Sequence, residues 1–315
     1  MQMLDKKKAE KLYDIVILGG GVAGLSAAIT GGQLGLVVLV LEKSVFGGSV
    51  AVLESVSGYP GIERIGGWEL TQTMVKQAEH VGCELIDSID VKDVEKLENN
   101  IFVVKVSAGD SFRTKTVIIS TGGQPRLLGL KNETRFAQRG IHTCAQCAGP
   151  RYKGKEVTIA GNGGWAVEAA LHLLRLGCGV TFVTGDKKMV GNAHIIAKLF
   201  RLKGFYCMPG SHVERLHGGQ YLEEIDVIEL STREIKRIEA AAVFVYRTIV
   251  PNSGIVAARQ NAGGFLHVDE NHMTSLPGVF AAGRVVHADL PIQVLVGDGS
   301  RAALAAAVWL QEDGS

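Results

Sequence analysis

The chain has 315 residues, of which 46% are hydrophobic and 21% charged, with 33 lysines and arginines against 32 aspartates and glutamates. That length accommodates about two domains with a sizeable core, and the composition excludes a disordered chain. A formal net charge of +1 leaves no broad electrostatic footprint for nucleic acid or for an anionic membrane surface. Met1 to Lys11 is lysine-rich and lacks the apolar segment of a secretory signal. The longest apolar runs, such as Ala302 to Leu310, are shorter than the roughly 18 residues of a membrane span. These features point to the cytoplasm. Forty glycines against seven prolines are concentrated in clusters, which points to backbone held close to a ligand or in tight turns. The five cysteines do not form a secreted disulfide framework; Cys83, Cys178 and Cys207 stand singly, as buried small apolar residues do.

Taken in order, Tyr13 to Leu18 is a β-branched run ending in glycine, the pattern of a buried parallel strand. Gly19, Gly21 and Gly24 then fill the GxGxxG spacing before a helix. The first allows the turn, the second lets backbone approach a pyrophosphate and the third lets helix pack on strand. Leu36 to Leu41 makes a second strand ending in Glu42, about 20 residues on, where an acidic side chain can accept a ribose hydroxyl. A glycine-rich turn without a ligand is the plain alternative. Lys43 to Ser49 and Ser57 to Gly61 are loops rich in turn formers. Trp68 to Val81 has helical spacing. Residues 85 to 119 alternate as antiparallel strands, returning to a last parallel strand, Thr116 to Ser120, that ends at Thr121-Gly122-Gly123.

Beyond Pro125 the pattern restarts. Lys155 to Ala160 is a strand running into Gly161-Asn162-Gly163-Gly164-Trp165-Ala166, where Gly161, Gly163 and Ala166 match the GxGxxA variant of the dinucleotide loop. A helix over Val167 to Leu176 and a strand over Val180 to Val183 follow. Further strands fall at Glu224 to Glu229, Ala241 to Tyr246 and Gly278 to Ala282, and an alanine-rich helix at Gly299 to Leu310. The fold class expected is α/β, with two Rossmann-like three-layer dinucleotide-binding domains, the second inserted in the first. Its boundaries fall at 1–123, 124–246 and 247–315.

Between the two loops lies Cys144-Ala145-Gln146-Cys147. A vicinal thiol pair closes a small-ring disulfide and exchanges with other disulfides when a thiolate is stabilised. It is also half of a zinc site, but there is no second CxxC to complete one, and no metal is expected.

The order GGGVAG, Glu42, GGS, SGYPG, STGG, CAQC, KGKEVTIAGNGGWAVEAAL and LPGVFAAG resembles low-molecular-weight thioredoxin reductase over nearly the full length. The resemblance implies an FAD domain in two pieces around a pyridine-nucleotide domain carrying the redox CxxC, usually in a homodimer. Electrons would pass from a nicotinamide through FAD to the disulfide and on to a thioredoxin-like protein. It would place Gly19, Gly21 and Gly24 at the FAD pyrophosphate, Glu42 at the adenosine ribose, and Gly48, Ser49 and Tyr59 on the flavin side. Lys43, Thr121, Gly122, Gly283, Arg284 and Gln293 complete the expected FAD set. Gly161, Gly163, Ala166 and Asp186 form the expected nicotinamide-nucleotide set. Cys147 matches the thiol nearer the flavin and Cys144 the thiol that attacks the partner.

Three departures stand out. The family's acid after the second cysteine is Ala148, so proton transfer needs another group or water; His142 is close in sequence, although a lone histidine is more often structural. The basic cluster that clamps the 2′-phosphate of NADPH is replaced by Thr184, Gly185 and Asp186, which suits the ribose diol of NADH better, while Lys187 and Lys188 supply some positive charge. The family's Gly-Asp near the end is Gly283-Arg284, and arginine accepts no hydrogen bond from a ribityl chain. The leading expectation is an FAD-dependent disulfide reductase fed by NADH or another donor, ferredoxin among them. The alternatives are an oxygen-dependent dithiol oxidase and a non-catalytic flavin- or nucleotide-binding sensor.

Overall fold

A computed structural model describes residues 11–312 apart from 54, 108 and 289, so that the Met1 to Lys11 segment lies outside the described residues except for Lys11. The chain divides into two compact units, Met1–Gln124 with Val250–Ser315 and Pro125–Ile249.

In the first unit the Leu12–Leu18 strand lies between Val38–Leu41 and Ser111–Ile119, parallel to both, with Ile15 opposite Val38 and Thr116. Glu84–Ile86 extends the sheet beyond Val38–Leu41, and Phe102–Val106 and Val91–Lys96 extend the other side. Ser111–Ile119 changes partners along one edge. Its first half pairs antiparallel with Phe102–Val106, and its second half pairs parallel with Val279–Ala281. The last parallel strand expected at Thr116 to Ser120 is therefore the end of a longer one. The central strands are apolar on both sides because both faces are covered. Ile15, Ile17, Val38 and Val40 face Ala27, Ala28, Ala302 and Ala303 of helices Val22–Gln33 and Ile292–Glu312. Val16, Leu18, Leu39 and Leu41 face Phe102, Phe112, Val256 and Leu266. Each such fully buried aliphatic side chain contributes about 1.5–3 kcal/mol.

The terminal helix starts at Ile292 rather than Gly299. Glycine is a poor helix former, which is why Gly297 and Gly299 read as a boundary in the sequence. Here the absence of a side chain is what the packing requires: a Cβ on Gly299 would overlap the carbonyl oxygen of Ala23 and stand 2.8 Å from its carbon. Hydrogen bonds fasten the same crossing, from Ser26 Oγ to the Val296 carbonyl at 2.8 Å and between Thr30 and Ser300 at 2.9 Å.

The second unit is a five-stranded parallel sheet in the order Ile141–His142, Ala242–Tyr246, Glu156–Gly161, Gly179–Thr184, Phe205–Pro209. Helix Gly164–Arg175 covers one face through Ala166, Ala169, Ala170 and Leu173. An antiparallel sheet of Ser211–His217, Glu224–Glu229 and Ile235–Glu239 covers the other through Val213, Leu216, Ile225 and Val227. Phe205–Pro209 and Ile235–Glu239 escaped the sequence reading because they are edge strands, the first half-buried and the second largely exposed, so no run of buried residues marks them.

Candidate functional site

The first glycine loop is shaped by its neighbours. Gly19 has φ +102°, and a Cβ there would lie 2.5 Å from the Ser120 carbonyl oxygen. Ser120 in turn donates its hydroxyl to the Gly19 carbonyl at 2.8 Å and to that of Leu18 at 3.1 Å. A Cβ on Gly24 would overlap the Gly19 oxygen, whereas one on Gly21 would meet nothing within 4 Å. Thus the first and third glycines answer to protein packing, and the second leaves open space in front of the backbone. Helix Val22–Gln33 begins there with Gly21 as its N-cap and no side-chain cap, so its first amides and the positive end of its dipole are available to an anion.

Glu42 closes the loop from the side. Its Oε2 accepts the Gly20 amide at 2.7 Å and its Oε1 that of Ser44 at 2.9 Å. Each oxygen retains a second lone pair for a ribose hydroxyl. Lys43 instead turns its exposed ammonium to Asp90, 3.2 Å away. The Gly47 amide donates to the Gly20 carbonyl at 2.8 Å, and a Cβ on Gly48 would come within 3.2 Å of the Gly21 Cα. Arg284 reaches the same rim: Nη1 donates to Ser49 Oγ at 3.4 Å and Nε to the Ala288 carbonyl at 3.3 Å. Gly283, at φ +77°, rests against Ala23. Tyr59 is half-buried in a cluster with Val22, Val50 and Leu295. Gln293 is exposed on the first turn of the terminal helix. Thr121 spends its hydroxyl on the Asn252 carbonyl at 2.7 Å, while Gly122, at φ +63°, faces open space. A rim of backbone amides without Cβ atoms, a helix N-terminus and a lateral carboxylate together fit the pyrophosphate and ribose of FAD.

The second loop repeats the plan with different fastenings. Gly161 has φ +143°, and a Cβ there would overlap the Tyr246 carbonyl oxygen, which accepts the Asn162 amide at 3.1 Å. Gly163, at φ +97°, caps helix Gly164–Arg175 without a side-chain bond, and Ala166 is fully buried beneath it. Asn162 ties this loop to the segment after the Gly179–Thr184 strand. Its Nδ2 donates to Asp186 Oδ2 at 2.6 Å and to the Lys188 carbonyl at 3.1 Å, and its Oδ1 accepts the Val190 amide at 2.8 Å. Asp186 is thereby turned toward the glycine loop, and it is exposed along with Lys187 and Lys188.

Cys144 and Cys147 form a disulfide with Cα atoms 5.4 Å apart. Cys144 caps the helical turn Ala145–Ala148 and accepts the Cys147 amide on its sulfur at 3.1 Å. Cys147 is exposed and Cys144 half-buried. Ala148 is 3% exposed and packs in the apolar core, so the position where the family carries an acid is dry. His142 is also buried; its Nε2 lies 2.7 Å from the Tyr152 hydroxyl. Burial, with the charge of Arg151 adding to it, pushes its pKa down to about 4, so at neutral pH it is a neutral core histidine. The Ala145 amide donates to the Tyr246 hydroxyl at 3.1 Å. Of the remaining cysteines, Cys83 and Cys178 are buried and Cys207 half-buried as free thiols, with burial raising Cys83 to about 11. Among the described residues no group of three His, Cys, Asp or Glu side chains stands where it could hold a metal ion. Sequence reasoning missed Ser120, Asn162 and Tyr246. Only Asn162, inside the glycine loop, carried a positional signal.

The pyridine nucleotide-disulphide oxidoreductase family matches residues 13–307. The thioredoxin reductase of Ureaplasma parvum serovar 3 is 31% identical over 96% of this chain and 98% of its own. That of Bacillus subtilis is 30% identical over 96% of both. The crystal structure of Lactococcus lactis thioredoxin reductase in its FR conformation superposes with a TM-score of 0.90 at 29% identity, covering 95% of this chain and 99% of that one. The chain therefore belongs to the pyridine nucleotide-disulphide oxidoreductase family and is a flavoprotein disulfide oxidoreductase of the thioredoxin reductase type.

Proposed function

We propose that this chain accepts electrons from a donor other than NADPH, NADH foremost, and delivers them through Cys144 and Cys147 to a thioredoxin-like protein. The observation that carries the donor assignment is Asp186. Its carboxylate is held 2.6 Å from Asn162 Nδ2, beside the glycine loop and just beyond strand Gly179–Thr184. A carboxylate there accepts hydrogen bonds from a ribose diol and opposes a 2′-phosphate. Asp186 is exposed, and two unit charges 4 Å apart in water interact by about 1 kcal/mol.

The loop of Gly19, Gly21 and Gly24, open at Gly21, would hold the FAD pyrophosphate and Glu42 the adenosine ribose, and Gly48, Ser49, Tyr59, Thr121, Gly122, Gly283, Arg284 and Gln293 would supply the remaining contacts. FAD, when bound, supplies the two-electron step between nicotinamide and disulfide. Once the pair is reduced, the Cys144 thiolate attacks the partner's disulfide, a mixed disulfide forms, and Cys147 displaces the partner as a dithiol while the Cys144–Cys147 bond closes again. The protein works as a homodimer in the cytoplasm; among the described residues no helix is long and apolar enough to cross a membrane. Anaerobic mixing with NADH, NADPH or reduced ferredoxin, followed by loss of flavin absorbance, tests the donor. NADH is expected to bleach the flavin fastest. Bleaching faster with NADPH overturns the assignment, and bleaching by ferredoxin alone moves the entry point away from the Gly161 loop.

A further inference from the structure

Tyr246 joins the two functional features of the second unit. Its backbone carbonyl accepts the Asn162 amide at 3.1 Å and leaves no room for a side chain at Gly161. Its phenol oxygen accepts the Ala145 amide at 3.1 Å. One residue at the end of the Ala242–Tyr246 strand therefore fixes both the start of the nucleotide loop and the start of the disulfide turn. The second contact matters for the sulfurs. Ala145 is fully buried, and its amide is the first of the turn Ala145–Ala148, so no carbonyl of that turn can take its proton. Cys144 caps that turn and Cys147 lies within it, and Cys144 Sγ already accepts the Cys147 amide at 3.1 Å. Anchoring the first amide thus sets the turn on which the two sulfurs meet.

We infer that Tyr246 is a positioning residue for the Cys144–Cys147 pair: its phenol oxygen fixes the turn so that the two thiols are held at bonding distance when the disulfide opens. Burial, the largest influence on it, pushes the Tyr246 pKa up to about 12, so near neutrality the oxygen meets the Ala145 amide as that of a neutral phenol. In this chain the alanine at position 148 provides no polar group to the turn, which leaves the phenol as the side-chain hydrogen bond to its first amide.

The inference rests on the disulfide cycling proposed above. Its test is Tyr246→Phe in the full-length flavoprotein, which keeps the half-buried ring packed against the core and removes only the oxygen. The Cys144–Cys147 midpoint potential is read by alkylation in dithiothreitol redox buffers, with no nicotinamide, ferredoxin or partner protein in the assay. The expected result is a loss of thiol effective concentration of about tenfold, read as a potential higher by about 30 mV, together with faster hydrogen exchange in peptides spanning 144–148. Flavin absorbance should not change. A variant with wild-type potential overturns the inference, and so does a shifted potential without a change in exchange at the turn. If the pair cannot be reduced in the unsubstituted protein, the proposed function fails instead, and the two failures are told apart within one experiment.

Discussion

Replacing Gly299 by alanine sets two well-defined effects against each other in the helix that backs the FAD cradle. Intrinsic propensity favours the change, because alanine in a helix interior is about 1 kcal/mol better than glycine. Packing opposes it. The new methyl would overlap the carbonyl oxygen of Ala23 and lie 2.8 Å from its carbon, and these are backbone atoms that cannot rotate aside. Overpacking of this kind costs about 1–3 kcal/mol, and a backbone obstacle places Gly299 at the upper end, for a net loss of about 2 kcal/mol. Ala23 belongs to the Gly19–Gly24 loop, so the displaced helix should also loosen FAD. Gly297, in the same helix, is exposed with nothing within 4 Å of its would-be Cβ, so Gly297→Ala should stabilise by up to about 1 kcal/mol. Urea unfolding followed by tryptophan and flavin fluorescence measures both variants. Gly299→Ala should unfold earlier and release FAD more readily, and Gly297→Ala should unfold later. If the two alanines shift the midpoint upward together, propensity has won and the close crossing of the two helices is not a constraint.

Asp186→Ser should lower the ratio of kcat/KM for NADH over NADPH by about tenfold, which is about 1.4 kcal/mol of lost discrimination; an unchanged ratio would place cofactor choice elsewhere. Ala148→Asp should destabilise the protein by about 2–4 kcal/mol, because a buried carboxylate without a partner carries a desolvation cost of that order; thermal melting would show it. His142 has a folded pKa pushed down to about 4, so the unfolded chain binds its proton first. Its contribution is complete above the unfolded value of about 6.5 and is lost as pH falls from there to about 4, for up to about 3 kcal/mol. His142→Phe should flatten the stability profile in that window, measured by urea midpoints from pH 7 to 4.

The parts of the fold that were legible in the sequence are those where one physical demand dominates. A strand buried on both faces must be continuously apolar, and Tyr13 to Leu18 shows it; a backbone that approaches a phosphate must lack side chains, and Gly19 to Gly24 shows that. The helix from Ile292 was misplaced at its start because two demands conflict there, and glycine at 299 answers to the neighbouring helix rather than to its own. Tyr246 was invisible for another reason. Nothing local in AVFVY separates a tyrosine that closes a strand from one whose hydroxyl reaches residue 145, since that contact exists only once the parallel sheet has brought the ends of two strands together.

The two acidic residues Glu42 and Asp186, which follow strands Val38–Leu41 and Gly179–Thr184, illustrate the same point and bear on what each site can become. Glu42 is fastened to the backbone amides of Gly20 and Ser44, bonds that no side-chain substitution in the loop removes. Asp186 is one methylene shorter and is fastened to the side chain of Asn162, with Thr184 Oγ1 receiving its amide at 3.2 Å. A ribose acceptor held by backbone is fixed by the fold. One held through Asn162 can be released by a single substitution, after which the neighbouring Lys187 and Lys188 would dominate the local charge. Cofactor choice in the second unit is therefore a side-chain property laid over a loop shaped much like the first, which is why the glycine spacing alone could point to a dinucleotide but could not say which one.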